Sequence, residues 1–173
     1  MIPESGMMNG LTTLDNDTVL IGEGKGSVYS MKISTGAYSA VITDATMSPP
    51  TSAPIPLGID GLRYHNGSIY YTNIFKNSFY KLAIDPATGK ASGKPTTLWT
   101  NSGADDLAFG ADGSPYVALT SGRIAKVDAS GKATNVASVS GCTAANFGRG
   151  ASDKNTLYVV TSGGAVSAVP NIS

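Results

Sequence analysis

The chain is 173 residues long, the size of one ordinary domain, and its 41% hydrophobic content is enough for a core, which excludes a disordered chain. Lys plus Arg and Asp plus Glu both number 12, so the formal net charge is zero and there is no electrostatic case for nucleic acid or an anionic membrane as partner. One cysteine, Cys142, and one histidine, His65, exclude an internal disulfide, a thiolate metal cluster and a multi-histidine zinc site.

The opening "MIPESGMMNG" lacks the basic-then-apolar pattern of a secretory signal, and no apolar run approaches the roughly 18 residues that span a bilayer. Cytoplasmic placement is the default expectation, and a secreted one if a leader precedes Met1. From Asn9 the sequence "NGLTTLDNDTVLIGEGKGSVYSMKI" reads as three strands parted by two turns, with "YSAVIT" as a fourth. "DGLRYHNGSIYYTNIFKNSFYKLAI" from Asp60 repeats that order and closes with "TTLWT". "DDLAFGADGSPYVALTSGRIAKVDA" from Asp105 repeats it again, closing with "ATNVAS". The last copy, "TAANFGRGASDKNTLYVVTSGGAVSAV" from Thr143, lacks an outer strand.

The openings at 9, 60, 105 and 143 are 51, 45 and 38 residues apart, a period that drifts as loop insertions would make it drift. No window has helical periodicity, β-branched and aromatic residues gather in the strand slots, and Asn, Asp and Gly gather in the turns. Four-stranded antiparallel units of this size predict an all-β chain forming one β-propeller domain over residues 1–173, with about four blades. A sandwich of similar hairpins is the alternative.

In a propeller the first strand of each blade lines the central channel. The equivalent openers Asn9, Asp60, Asp105 and Thr143 are therefore expected to converge on one axis, and Asp106 to fall on the opposite face of its strand from Asp105. Among the other residues, His65 in "HNG" reads as a turn residue and Cys142 as a small buried hydrophobe. "GEGKGS" at 22–27 lacks the spacing of a phosphate loop and the helix after it, so it reads as a hairpin turn. Trp99 closes a fourth strand. No G-x-S-x-G elbow is present, which argues against a serine hydrolase.

The pieces "NGLTTL", "GIDGLRYHNGSIYYTN", "GADDLAFGADGSPYVA" and "CTAANFGRGASDKNTLYVVTSGG" span nearly the whole chain. Together they resemble the senescence-marker-protein, gluconolactonase and luciferin-regenerating-enzyme-like family, in its fungal branch. The resemblance implies a six-bladed propeller with a divalent metal, often calcium, at the bottom of the channel. It further implies that Asn9, Asp60 and Asp105 are the metal ligands, with water or substrate completing the shell of 6–8 oxygens typical of Ca²⁺. The activity implied is metal-assisted hydrolysis of a lactone or ester, the ion polarising the carbonyl and Asp105 or Asp60 serving as general base.

The chain departs from that family in having about four blades, so it resembles the C-terminal two-thirds of a member. A truncated product, or pairing with another chain through open blade edges, is the corresponding expectation. The family's first-blade Glu has no counterpart, because Glu4 precedes the first strand and Glu23 is expected beyond the second. The resemblance also implies a metal-independent alternative, a hetero-Diels–Alder cyclase of fungal secondary metabolism. Its pocket residues would be Tyr64, Tyr71, Phe109 and Asn146, although Tyr64 and Phe109 also fit core packing between blades. A binding or scaffold module without activity is the third reading. In each case the expected partner is a small organic molecule.

Overall fold

The computed structural model describes residue 2 and residues 5–172. It is all-β apart from one 3-10 turn at Ile74–Lys76, and it divides into two compact units, Met1–Asn101 and Ser102–Ser173. The fold is a β-propeller fold, each unit contributing two antiparallel blades.

In the first unit, β1 (Met8–Thr13), β2 (Thr18–Glu23), β3 (Ser27–Lys32) and β4 (Tyr38–Thr43) pair in chain order as one sheet. A second sheet follows, made of β5 (Ile59–His65), β6 (Ser68–Asn73), β7 (Ser78–Ala83) and β8 (Thr96–Thr100). In the second unit, β9 (Ala104–Phe109), β10 (Pro115–Leu119), β11 (Arg123–Val127) and β12 (Ala133–Ser138) form the third sheet. The fourth sheet has three strands, β13 (Cys142–Phe147), β14 (Leu157–Thr161) and β15 (Val166–Val169), as its sequence predicts.

The turns explain why these strands fold back so tightly. Between β5 and β6, Asn66 and Gly67 both have positive φ, 46° and 72°, the requirement of a two-residue hairpin turn whose twist matches its strands. Between the second and third strands of every sheet lies the same four-residue turn, closed by a backbone hydrogen bond from its fourth residue to its first. Those bonds run from Gly26 to Glu23, Asn77 to Ile74, Gly122 to Leu119 and Gly164 to Thr161. All four donors have positive φ, a conformation that Gly tolerates without cost and Asn better than most. "GEGKGS" is one of these hairpin turns.

The register repeats as well. Each first strand carries a β-bulge near its start. The three steps from Met8 to Leu11 face two on β2, Ile59 to Leu62 face two on β6, and Ala104 to Leu107 face two on β10. In the fourth sheet, two steps from Cys142 to Ala144 face one on β14. Asn9, Asp60, Asp105 and Thr143 all fall inside these irregular steps. A second irregularity recurs in the outer strands β4, β8 and β12.

The sheets stack within each unit. Leu20, Val28 and Ile42 of the first sheet pack against Leu62, Ile69, Tyr71 and Leu82 of the second, with Met47 of the connecting loop fully buried between them. Burying each such side chain stabilises the fold by about 1.5–3 kcal/mol relative to leaving it in water. In the second unit Tyr116, Ala118 and Ile124 of the third sheet pack against Ala145, Leu157 and Val159 of the fourth. Tyr116 meets Phe147 edge to face at a centroid distance of 5.1 Å.

Candidate functional site

The bulges build the site. An extra residue in one strand interrupts the in-out alternation and re-aims the side chains beside it. Two of the four openers meet directly in the first unit, where the Asn9 amide Nδ2 donates to the Asp60 carboxylate Oδ1. Asp60 is 5% exposed while Asn9 is open to solvent, so the carboxylate is drawn inward and the amide caps it.

Glycine makes this approach possible. A Cβ on Gly10 would lie 2.6 Å from the Leu62 nitrogen and 2.7 Å from the Leu62 Cβ, and would also strike the Asp60 carbonyl oxygen. With hydrogen in that place, β1 and β5 run close enough for the Tyr64 N–H to donate to the Thr12 hydroxyl at 3.0 Å. The Gly61 N–H, left without a ladder partner by the bulge, donates to the Thr72 hydroxyl at 2.8 Å.

Asp105 and Asp106 are both half-buried in the bulge of β9. The alternation that would send Asp106 to the opposite face is interrupted at this point. Thr143 is half-buried and its hydroxyl donates to the Val160 carbonyl at 3.4 Å. Its neighbour Cys142 is the small buried hydrophobe expected, 2% exposed, with its thiol donating to the Leu119 carbonyl at 3.2 Å. Burial first, and then the nearby Asp105 charge, push that thiol above its ordinary pKa.

The expected pocket residues part company. Tyr71 is 0% exposed and stacks on Tyr80 at 5.1 Å within the first unit's core. Its hydroxyl is bonded to that of Thr46 at 2.6 Å, and burial raises its pKa well above the ordinary phenol range. Tyr64 is half-buried and packs against the same core. Phe109 is half-buried at the end of β9 opposite Pro115, whereas Asn146 on β13 is exposed opposite Tyr158. His65 ends β5, beside the turn as read, and its Nε2 lies 3.1 Å from the Asn66 amide. Trp99 is half-buried in β8.

Glu4 lies outside the described residues. Glu23 is not beyond β2 but is its last residue, 3% exposed, and it accepts the Gly6 N–H at 2.8 Å. Asn73 holds the equivalent place in β6. It is fully buried, donates to the carbonyls of Thr46 and Ser48 at 3.0 and 2.9 Å, and accepts the Lys76 N–H at 3.1 Å. Both residues tether the segment that leads into a first strand, a role invisible in sequence because the partners lie far along the chain.

As a metal cradle, the first unit offers one carboxylate and one amide. The Asn9 amide reaches Asp60 as a neutral donor. Among the described residues no three His, Cys, Asp or Glu side chains cluster in a way that could hold an ion. That donor set is thin for Ca²⁺, which takes 6–8 oxygens.

No protein-family model matches the sequence. A candidate hetero-Diels-Alderase from Phoma sp is 31% identical over an alignment covering 91% of this chain and 53% of that protein, so the chain spans about half the length of the curated relative it matches. Among solved structures, a streptogramin B lyase aligns over 98% of this chain and 56% of its own at TM-score 0.61 and 19% identity. Regucalcin from Agrobacterium tumefaciens, described as a calcium-binding protein, aligns over 88% of this chain and 52% of its own at TM-score 0.62 and 19% identity. At that identity the two structures speak to the fold.

Proposed function

We propose that the chain acts on a small organic metabolite held beside the bulged first strands, and that its chemistry is a metal-independent hetero-Diels–Alder cyclisation. The observation carrying this reading is the 31% identity to the Phoma protein across nearly the whole chain.

Such a cyclisation converts three π bonds into one π and two σ bonds and moves no proton out of the reactants. The protein's task is to hold diene and heterodienophile in one reactive arrangement, where orientation lowers the barrier. Phe109, opposite Pro115 in the second unit, supplies apolar surface in this reading. The exposed Asn146 amide supplies a hydrogen bond to the heteroatom. Tyr71 lies inside the first unit's core and does not line the site.

The test uses an ortho-quinone methide generated in solution with a vinyl ether as trap. The uncatalysed reaction gives racemic chromane, and the protein is expected to give an enantiomeric excess that falls in Asn146→Ala. A racemic product at high protein concentration overturns the reading.

Metal-assisted lactone hydrolysis is the second reading, favoured by the meeting of Asn9 and Asp60 at equivalent bulges. In that reading Asn9 and Asp60 would be ligands of a divalent ion, with Asp105 as a third oxygen, Ca²⁺ by the hardness of these oxygens; the ion would supply polarisation of the carbonyl, and Asp60 or Asp105 would serve as general base. Its signature is a melting temperature that rises with calcium and is returned to baseline by chelator. Indifference to calcium, to gluconolactone and to the cycloaddition leaves a binding or scaffold module.

A further inference from the structure

Two Asn-Gly pairs stand in the chain, Asn9-Gly10 and Asn66-Gly67. A glycine nitrogen that follows asparagine can attack the asparagine Cγ, since no Cβ crowds its approach. The new C–N bond closes a five-membered succinimide, and the side-chain nitrogen leaves as ammonia, taking the proton of the glycine N–H. Water then opens either carbonyl of the ring. One opening gives aspartate, the other isoaspartate, with the main chain rerouted through Cγ. The balance needs water alone, with no oxidant, metal or enzyme.

Both asparagines are exposed, so access of water does not separate them. What separates them is the freedom of the Asn-Gly peptide unit to rotate its nitrogen against Cγ. At the first pair that rotation is blocked. Gly10 is buried with the Leu62 nitrogen and Cβ so close that even a methyl group would strike them, and the Asn9 amide is tied to the Asp60 carboxylate. At the second pair it is open. A Cβ on Gly67 would meet nothing within 4 Å, and the Gly67 N–H enters no hydrogen bond among the described residues. The bond from the Ile84 N–H to the Gly67 carbonyl, at 3.0 Å, restrains the following peptide unit and not the reacting one. The Asn66 amide is held by the half-buried His65 ring at 3.1 Å. Its φ of 46° is a conformation that a residue with a Cβ leaves without cost.

We propose that Asn66 is a self-modifying site of the folded protein, closing onto Gly67 and converting to aspartate and isoaspartate, while the packing that brings Asn9 to Asp60 protects the identical pair at Asn9. Either product adds one negative charge to a chain whose formal net charge is zero. Aspartate tolerates the left-handed conformation of the turn. Isoaspartate adds a methylene to the main chain of a two-residue turn whose register is set by His65 opposite Ser68. It therefore loosens the β5–β6 hairpin, whose Leu62, Ile69 and Tyr71 fill the first unit's core.

The test incubates the folded chain at mildly alkaline pH and follows the tryptic peptides 1–25 and 64–76, cut at Lys25, Arg63 and Lys76, by liquid chromatography and mass spectrometry. Aspartate and isoaspartate are expected at position 66. Conversion there should run about tenfold or more ahead of that at position 9, because a packed strand must open first whereas a turn opens at little cost. In urea the two pairs are expected to convert at similar rates, which locates the difference in the fold. Asn66→Gly keeps a residue suited to positive φ and is expected to abolish the acidic species that grows on ion exchange. Equal conversion at the two positions in the folded chain overturns the proposal. So does an intact Asn66 there while the urea-unfolded chain converts, or an acidic species that persists in Asn66→Gly.

Discussion

A single hydrogen atom at Gly10 decides whether Asn9 and Asp60 meet. The groups that a Cβ there would strike are the Asp60 carbonyl and Leu62 backbone and Cβ atoms, none of them the far end of a flexible side chain. Gly10→Ala must therefore push β1 from β5, and the expected loss is about 2 kcal/mol, within the range for overpacking a tight core. Urea denaturation measures it, and an unchanged midpoint would show that the strands part freely. A second residue-scale prediction concerns Asp112 and Lys126, paired at 2.7 Å on the surface of the second unit, with the lysine also over the Tyr116 ring. The hydrogen bond from Lys126 lowers the Asp112 pKa to about 2, and the same bond, reinforced by Tyr116, raises that of Lys126. A lowered carboxylate pKa stabilises the fold above the unfolded value and loses that effect as pH falls through about 2. Asp112 is 42% exposed, so solvent screening holds the pair to about 0.5 kcal/mol. Asp112→Asn should cost that much at pH 7 and almost nothing at pH 2, read from denaturation at the two pH values.

At the scale of strands and turns, the legible and the illegible features divide cleanly. The hairpin between β5 and β6 is written in Asn66-Gly67, and the turns after the second strands are written in Gly26, Asn77, Gly122 and Gly164, because a positive φ restricts residue choice strongly. Strand order follows from β-rich segments between such turns. The bulges left no comparable mark. One extra residue in "MNGL", "IDGL" or "ADDL" changes neither composition nor propensity, so the openers could be aligned from sequence while the irregularity that aims them could not. The same limit hid Glu23 and Asn73, whose partners are backbone groups of remote segments. The turns also separate two costs of losing a glycine. At Gly67 (φ 72°) a Cβ would meet nothing within 4 Å, so Gly67→Ala carries conformational strain alone, about 1 kcal/mol. At Gly26 (φ 116°) a Cβ would also lie 3.0 Å from the Ser48 backbone, so Gly26→Ala adds overpacking and should cost about 2–3 kcal/mol. Equal losses in the two variants would mean that Ser48 yields without resistance.

The whole molecule consists of two units whose cores differ in substance, and the chain carries one spectroscopic or chemical reporter in each. The first unit is filled by Leu, Ile and Tyr side chains, with Met47 sealing the space between its sheets. The second relies on Ala108, Ala118, Ala145 and Cys142 among its buried members, and its last sheet stops at three strands with Val160 and Val166 in water. Smaller side chains bury less apolar surface per residue, and stability scales with that surface. The second unit is accordingly the one expected to open first. Trp99, the only tryptophan, lies in the first unit, and Cys142, the only cysteine, lies in the second with its thiol buried and its pKa raised. Fluorescence in urea therefore follows one unit, while the reactivity of Cys142 toward a disulfide reagent follows the other, since the thiol is reached only on opening. Cys142 labelling is expected to reach its midpoint at lower urea than the Trp99 transition, with the gap narrowing in Tyr71→Ala, which weakens the first unit's core. Coincident midpoints in the parent chain would instead identify a single cooperative transition, and the difference between the two cores would then have no bearing on how the protein unfolds.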